Sequence, residues 1–431
     1  MIDLLKEKNY QKLNFFILLL ASLILLRKTA TIVIIVFFVF SLINYKHYYN
    51  KEVVKVLKIG LIINIPIILE CVFFWNNDSA YSGMKSLEKS ISCLLLPFLI
   101  IPHFEHINAF KILKKYSLYT SIILVVSLVA FAFFEHSYFE KYLKGIDLWQ
   151  MGYTFSDDFM GIHAPALNMY LSFISIYILY LIINEFSLNN FSRKAIKLFG
   201  LFLVLFFFLL VINTRIALLT FVLNAIVLFI FSKIAIRKKI IIILLSVITL
   251  GFITKAFIDK FPYTLDKYTV HLFNDMDKVG KLDEIDHPEI NAFSSLVTRI
   301  SIWKSAYEVG KENFLFGVGS SDAHEALVNH YRETDQRFLT KYGLITHNQF
   351  LNFFVKYGII GLLCCFIYMF YPLYLSIKTK NIIIFCFFLN FLISNLTDDY
   401  LNKFDGLVYT ALWYSLFTCY YLNYKTELWR R

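Results

Sequence analysis

Charge is what this sequence has least of. Only 17% of its 431 residues are Asp, Glu, Lys or Arg, against about 25% in soluble domains of ordinary composition. Too little polar surface is available to cover a folded chain of this length, so a wholly water-soluble fold is excluded. Cysteine is also sparse. Cys71, Cys93, Cys364, Cys365, Cys386 and Cys419 all fall within apolar runs, which points to neither a disulfide framework nor a cysteine-based metal site. No internal repeat of the inverted-topology transporter kind is visible.

What is present is apolar. The chain is 58% hydrophobic, with 46 Phe and 28 Tyr and a mean hydropathy of +0.62. That composition belongs to a polytopic membrane protein. Backbone groups in lipid must be satisfied within their own segment, so the fold class is all-α. About twelve apolar stretches can be traced, several shorter than the roughly 20 residues of a perpendicular span. The third covers about 56–75, the ninth 240–257, the tenth 348–371 and the twelfth 406–423. The first apolar run, Phe15 to Leu26, follows Lys6, Lys8 and Lys12 as a signal peptide would. A second long run begins at Ala30, so an uncleaved first span is expected.

Lys and Arg concentrate in alternate connections. They fill the segments around Lys46–Lys58, Lys111–Lys115, Arg193–Lys197, Lys233–Lys239 and Lys378–Lys380, and both ends of the chain. The short connections between these carry few. The bias puts both termini in the cytoplasm. It also accounts for the net charge of +11, and no nucleic-acid partner is expected. The organisation read from the pattern is spans one to nine over 1–257, one large outward loop over 258–346, and spans ten to twelve over 347–431.

The loop is the polar exception, with His271, His287, His324 and His330 among many charged residues. Loops of this length are functional or disordered. In "TRISIWKSAYEVGKEN", Ile300, Trp303 and Tyr307 recur at helical spacing and predict an amphipathic helix. "FLFGVGS" interrupts it with glycines. Asp322 followed by Glu325 predicts a second helix with an N-cap and a carboxylate three residues on.

The stretch "THNQFLNFFVKYGIIGL" sets a histidine and an asparagine at the mouth of the tenth span. If that span begins near Thr346, His347 lies in its first turn, where the helix dipole and free N–H groups favour an anion. Gly358 lies about 16 Å deeper at 1.5 Å per residue. Gly358 and Gly361 are therefore expected to admit a close helix neighbour. Read alone, His347 and Asn348 fit a helix cap as well as a reactive site. Arg215 in "INTRIALL" and Arg299 in "LVTRISIW" stand on the same outward side. Each fits an interfacial or solvated charge when taken singly. Together with His347 they fit a diphosphate site, since guanidinium groups pair phosphate oxygens bidentately and a neutral imidazole can take a hydroxyl proton. Asp157-Asp158 and Asp398-Asp399 are acidic pairs at outer span ends, but no third ligand stands at a fixed spacing, so no metal site is expected. His163 in "GIHAPALNMYLSF" is a further candidate for contact with substrate. Trp303 reads as a packing anchor.

These motifs resemble the O-antigen ligase and O-antigen polymerase family of bacterial envelope enzymes. The resemblance is carried by "HNQFLNFFVKYGIIGL", by the preceding "TRISIWKSAYEVGKENFLFGVGS", and by the span-opening arginine of "NTRIALL". It covers roughly residues 200–370, and the earlier spans match only in number and hydrophobicity. It implies a metal-independent inverting glycosyltransferase of the bacterial inner membrane, without cofactor and with its site facing the periplasm. The implied donor is a glycan on undecaprenyl diphosphate, and a ligase's acceptor is a sugar hydroxyl of lipid A–core. Arg215 and Arg299 would hold the diphosphate, His347 would be the general base, and Asn348 and His163 would be further substrate contacts. One dominant outward loop favours the ligase over a polymerase with the same donor chemistry. The rival class is a lipid-linked oligosaccharide transporter. That reading needs ionisable groups along the spans, where only Glu70 and Lys356 stand out, with no evident partners.

Overall fold

The computed structural model describes residues 2–43, 57–188, 193–232, 275–292 and 295–430, with isolated positions between 234 and 259. Helix dominates, and no strand occurs among the described residues. Among the described residues, five helices are long and apolar enough to cross a bilayer: Ala80–His106, Ala109–Phe134, Ala164–Glu185, Arg193–Ile212 and Gln349–Thr379. Gln11–Leu23, Thr29–Ile43, Arg215–Phe231 and Ile382–Thr397 are shorter apolar helices, and Phe404–Arg430 is helical over the twelfth expected stretch. The third expected stretch is not one helix. A tight 3-10 segment, Lys58–Asn64, leads into Ile65–Val72, with Pro66 in its first turn where no N–H is needed. The ninth, 240–257, lies largely outside the described residues. The chain is thus an all-α, multi-pass membrane protein. All six cysteines are free thiols.

Two compact units are formed, one of residues 117–274 and one of 1–116 with 275–431. In the first, α1 (Ala164–Leu188) packs against both α2 (Arg193–Ile212) and α3 (Arg215–Phe231). Their interface carries paired polar groups, as membrane helices use them. The Ser172 and Thr220 hydroxyls lie 3.2 Å apart, both buried. Gly152 meets the end of α2 so closely that a Cβ there would lie 2.3 Å from the Ile212 carbonyl oxygen.

In the second unit the polar loop builds a small core of its own. α4 (Leu296–Glu312) and α5 (Ala323–Glu333) bury Val297, Ile302, Ala306, Val309, Leu327 and Tyr331 together with Leu282, Phe338 and Leu339. Residues 275–292, whose order the residue pattern leaves open, contribute Leu282, Ile285 and Ala292 to this core. The helix expected over 298–313 exists, with Ser295 as N-cap, but its face differs. Thr298, Ser301, Ile302, Ser305, Ala306 and Gly310 are buried, while Tyr307 is exposed. Ser301 and Ser305 accept from Gly280 N–H and Gln336 Nε2 within the loop, while Gly310 lets α4 lie against α6 (Gln349–Thr379). A Cβ on Gly310 would stand 2.4 Å from the Phe354 ring. α7 (Ile382–Thr397) and α8 (Phe404–Arg430) pack on α6 and complete the region around the site.

α6 is broken at Gly358, whose φ of 63° and ψ of −153° belong to a region only glycine occupies freely. The backbone groups freed by the break are taken up by the loop 313–320. Val318 N–H donates to the Val355 carbonyl at 2.9 Å, Gly319 N–H to Lys356 at 3.1 Å, and Ile359 N–H to Phe314 at 2.7 Å. Irregular backbone within a span persists only when so satisfied. A Cβ on Gly358 would sit 2.4 Å from the Leu315 carbonyl carbon. The glycine pair was expected to admit a helix. It admits a loop at Gly358, and at Gly361 the atoms crowding the Cβ position belong to Phe353 and Tyr357 of the same helix. Gly358→Ala is therefore expected to unseat loop 313–320. Both backbone strain and a backbone clash oppose it, at about 3 kcal/mol or more together. A fall in detergent melting temperature with new protease cuts near 314–320 would show this, and wild-type values for both would refute it.

The far end of the same loop is pinned by Ile65–Val72 and the segment after it. Ser320 Oγ donates to Glu70 Oε2 at 2.5 Å, Ser321 N–H to Asn77 Oδ1 at 3.0 Å, and Asn76 Nδ2 to the Gly317 carbonyl at 3.0 Å. Asp322 stands at the N-cap position of α5 as expected, but its side chain does not cap. It accepts instead from Asp78 N–H at 2.8 Å and Ser321 Oγ at 2.7 Å.

Candidate functional site

The region around His347 is built where the loop ends and α6 begins. α6 starts at Gln349 with Asn348 as its N-cap, so His347 precedes the helix instead of occupying its first turn. Asn348 Oδ1 accepts from Phe350 N–H at 3.0 Å and Leu351 N–H at 3.1 Å, satisfying two of the helix's orphan donors. Its Nδ2 donates to the Leu396 carbonyl at 3.1 Å. Both ends of that amide are thus engaged within the protein, as a cap and as a tie to α7.

His347 has a φ of 45°, a left-handed conformation that histidine tolerates better than most side chains. Trp303 helps to hold it there. Its indole N–H donates to the His347 carbonyl at 3.3 Å, while the ring packs against the loop core. Trp303 is therefore an anchor, as expected, and what it anchors is His347. Arg299 lies four residues earlier on α4, on the same side of that helix. It is half-buried.

The imidazole faces a partner that sequence spacing did not reveal. His347 Nδ1 lies 3.4 Å from Asp398 Oδ1, with the two side chains 31% and 10% exposed. The Asp399 N–H donates to that same Asp398 oxygen at 2.9 Å. Asp399 is 1% exposed, and its Oδ2 accepts from Thr346 Oγ at 3.0 Å and Asn402 Nδ2 at 2.7 Å. Thr346 Oγ in turn accepts from Asn352 Nδ2 at 3.1 Å, and Gln349 Oε1 accepts from Leu401 N–H at 2.7 Å. These bonds tie the 398–402 turn, which follows α7, to the start of α6.

One ligand atom each from His347, Asp398 and Asp399 lies within 4.8 Å of the others. The third group that Asp398-Asp399 lacks by sequence spacing is thus His347 itself, and this donor set suits a divalent cation in kind. Such an ion would have to compete with the hydrogen bonds that already use Asp398 Oδ1 and Asp399 Oδ2. In the other acidic pair, Asp157 Oδ1 accepts from Ala164 N–H at 2.5 Å and so caps α1.

Burial, then the neighbouring Asp398 charge, pushes the Asp399 carboxyl up to about 6, with His347 acting in the opposite direction. The folded chain then binds a proton more tightly than the unfolded one. The contribution of Asp399 to stability accordingly falls as pH rises from about 4 to about 6, and is constant above. Asp399→Asn keeps an acceptor for Thr346 and Asn402 but removes the charge. It is expected to be the more stable form above pH 6, by at most about 3 kcal/mol, with the gain fading towards pH 4. Melting temperatures across that range test the sign, and a variant destabilised equally at every pH would contradict it.

Arg215 and His163 belong to the 117–274 unit. Asn213 turns the chain with a φ of 53°, Thr214 is the N-cap, and Arg215 is the first residue of α3. Asn168 of α1 holds that turn. In the amide orientation that satisfies both ends, it donates to the Leu209 carbonyl at 3.2 Å and accepts from Thr214 Oγ at 2.8 Å and Thr214 N–H at 2.9 Å. The arginine is thus set at a helix start by a fully buried amide. His163 stands in the turn just before α1, where its carbonyl accepts from Leu167 N–H at 3.0 Å. Among the loop histidines, His330 Nε2 lies 3.0 Å from Glu308 Oε2 and serves the loop's own packing.

Glu70 and Lys356, without evident partners by sequence spacing, have them in the fold. Glu70 accepts from Ser320, and Lys356 Nζ donates to Asn402 Oδ1 at 2.6 Å.

Residues 200–366 match the family model described as O-Antigen ligase. The matched segment contains Arg215, Arg299 and His347, and it ends before Asp398. It coincides with the stretch that carries the resemblance in the sequence. The match does not separate ligase from polymerase. No curated protein matches the chain.

Proposed function

We propose that this protein, with its O-antigen ligase segment, is a membrane glycosyltransferase of the bacterial inner membrane that acts at the periplasmic face. It moves a glycan from undecaprenyl diphosphate to a sugar hydroxyl of lipid A–core. His347 takes the proton of the acceptor hydroxyl on Nε2, since Nδ1 is the nitrogen turned towards Asp398. The freed oxygen attacks the anomeric carbon from the side opposite the diphosphate. As that bond forms, the bond from the anomeric carbon to the phosphate oxygen breaks, and the diphosphate leaves with the electron pair. Configuration inverts. Arg215 and Arg299 bind the phosphate oxygens and stabilise the charge that builds on them, a role a metal fills elsewhere.

The observation that carries this reading is the set of His347, within the family-matched segment, against Asp398, 3.4 Å apart and partly open. A carboxylate beside one ring nitrogen orients the imidazole and favours the cation that forms as it accepts a proton. A polymerase would use the same chemistry on a different acceptor. Cells lacking the protein are expected to accumulate long lipid-linked polymer, whereas accumulation of single repeat units would identify a polymerase. Purified protein supplied with defined donor and acceptor lipids is expected to transfer glycan without nucleotide or ion gradient, which a transporter would not. The rate is expected to survive chelator, and its loss would assign the cluster of His347, Asp398 and Asp399 to a cation.

A further inference from the structure

Lys356 is the eighth residue of α6, roughly 10 Å along a helix of 1.5 Å rise per residue. An ammonium group inside an apolar span is costly unless it is paired, and its partner indicates its use. Here the partner leads back to the site. Lys356 Nζ donates to Asn402 Oδ1 at 2.6 Å, and Asn402 Nδ2 donates to Asp399 Oδ2 at 2.7 Å. Asp399 N–H donates to Asp398 Oδ1 at 2.9 Å, the oxygen 3.4 Å from His347 Nδ1. The chain of contacts runs from the ammonium to the imidazole without a gap. The first two links have one sense, because the lysine ammonium can only donate and so turns the Asn402 amide with its NH2 towards Asp399.

The surrounding charges fit this arrangement. Glu70 and Asp399 are the anions acting on Lys356, and Lys89 is the opposing cation. Asp398, His347 and Lys403 act on Asp399. Glu70 is held by Ser320 at the end of the loop that seats on the α6 break. Lys356 therefore stands between a carboxylate belonging to the fold and one belonging to the site.

We propose that Lys356 is a positioning residue of the transfer site: by holding Asn402 it fixes the Asp399 carboxylate, and with it the Asp398 oxygen against which the His347 imidazole is set. The inference rests on the transfer function proposed above.

The test is a double-mutant cycle with Lys356→Met and Asn402→Leu, using undecaprenyl diphosphate-linked donor and lipid A–core acceptor. Each single variant is expected to lower kcat on the order of tenfold or more, with donor KM unchanged, and the double variant no further, since both cut one coupled chain. Losses that multiply, an unchanged kcat, or a raised donor KM in Lys356→Met alone would each overturn the proposal. The last would make Lys356 a donor contact. Lys356→Gln retains an N–H for Asn402 and is expected to recover part of the loss, which also covers a methionine variant that fails to fold. The nitrogen-15 shifts of the His347 ring in histidine-labelled protein give a readout independent of transfer. They are expected to move alike in both single variants. Unmoved shifts reject the positioning role even if the substrates named here prove wrong, whereas moved shifts with no transfer in the wild type reject only the substrates.

Discussion

His347→Ala is expected to lower glycan transfer by about 10²- to 10⁴-fold, the usual worth of a positioned general base, while leaving the protein folded in the membrane. The structure explains why the two effects should separate. What the fold needs from His347 is its carbonyl, which accepts from Trp303, and its left-handed backbone. Alanine supplies the first and tolerates the second at a cost of about 1 kcal/mol. The ring itself contacts Asp398 and is partly open, so its loss removes chemistry more than packing. The loss should fall on kcat, with donor KM little changed, because a base acts on the acceptor proton. A variant that retains full kcat would leave the acceptor proton to some other group.

Removal of either arginine is expected to be about as severe, near 10²- to 10³-fold for each of Arg215→Ala and Arg299→Ala. Lysine should not rescue them if each phosphate contact is bidentate, since an ammonium offers a point charge and no planar fork. Donor KM should rise as kcat falls, which distinguishes these variants from His347→Ala. Arg299 is the cleaner test of the two. It is half-buried on α4, one turn from Trp303, and its loss opens no core. Full activity in either alanine variant would take that residue out of the diphosphate site.

Some of this could be read from the residues and some could not. The all-α class followed from scarce charge and long apolar runs, and Thr298 to Asn313 announced a helix by its spacing. The face of that helix did not, because its buried stripe is made of small and polar Ser301, Ser305, Ala306 and Gly310, which bond to or pack on the loop and α6, and an apolar spacing picks out Ile300, Trp303 and Tyr307 instead. His347 was visible through its motif. Its partner Asp398 was not, because the two stand 51 positions apart and only the return of the chain after α7 joins them. The same holds for Lys356 with Asn402. Gly358 was legible as a place where bulk is forbidden, but periodicity cannot distinguish a tight helix neighbour from a helix that stops being one.

The break at Gly358 also bears on how the protein is made. The hydrogen-bond partners of Val355 and Lys356, the N–H groups of Val318 and Gly319, lie in a stretch synthesised earlier. Until the two meet, that span carries bare carbonyls at a depth where lipid offers nothing in exchange. The broken helix and the folded loop before it therefore depend on each other, since each supplies the partner that the other's backbone lacks.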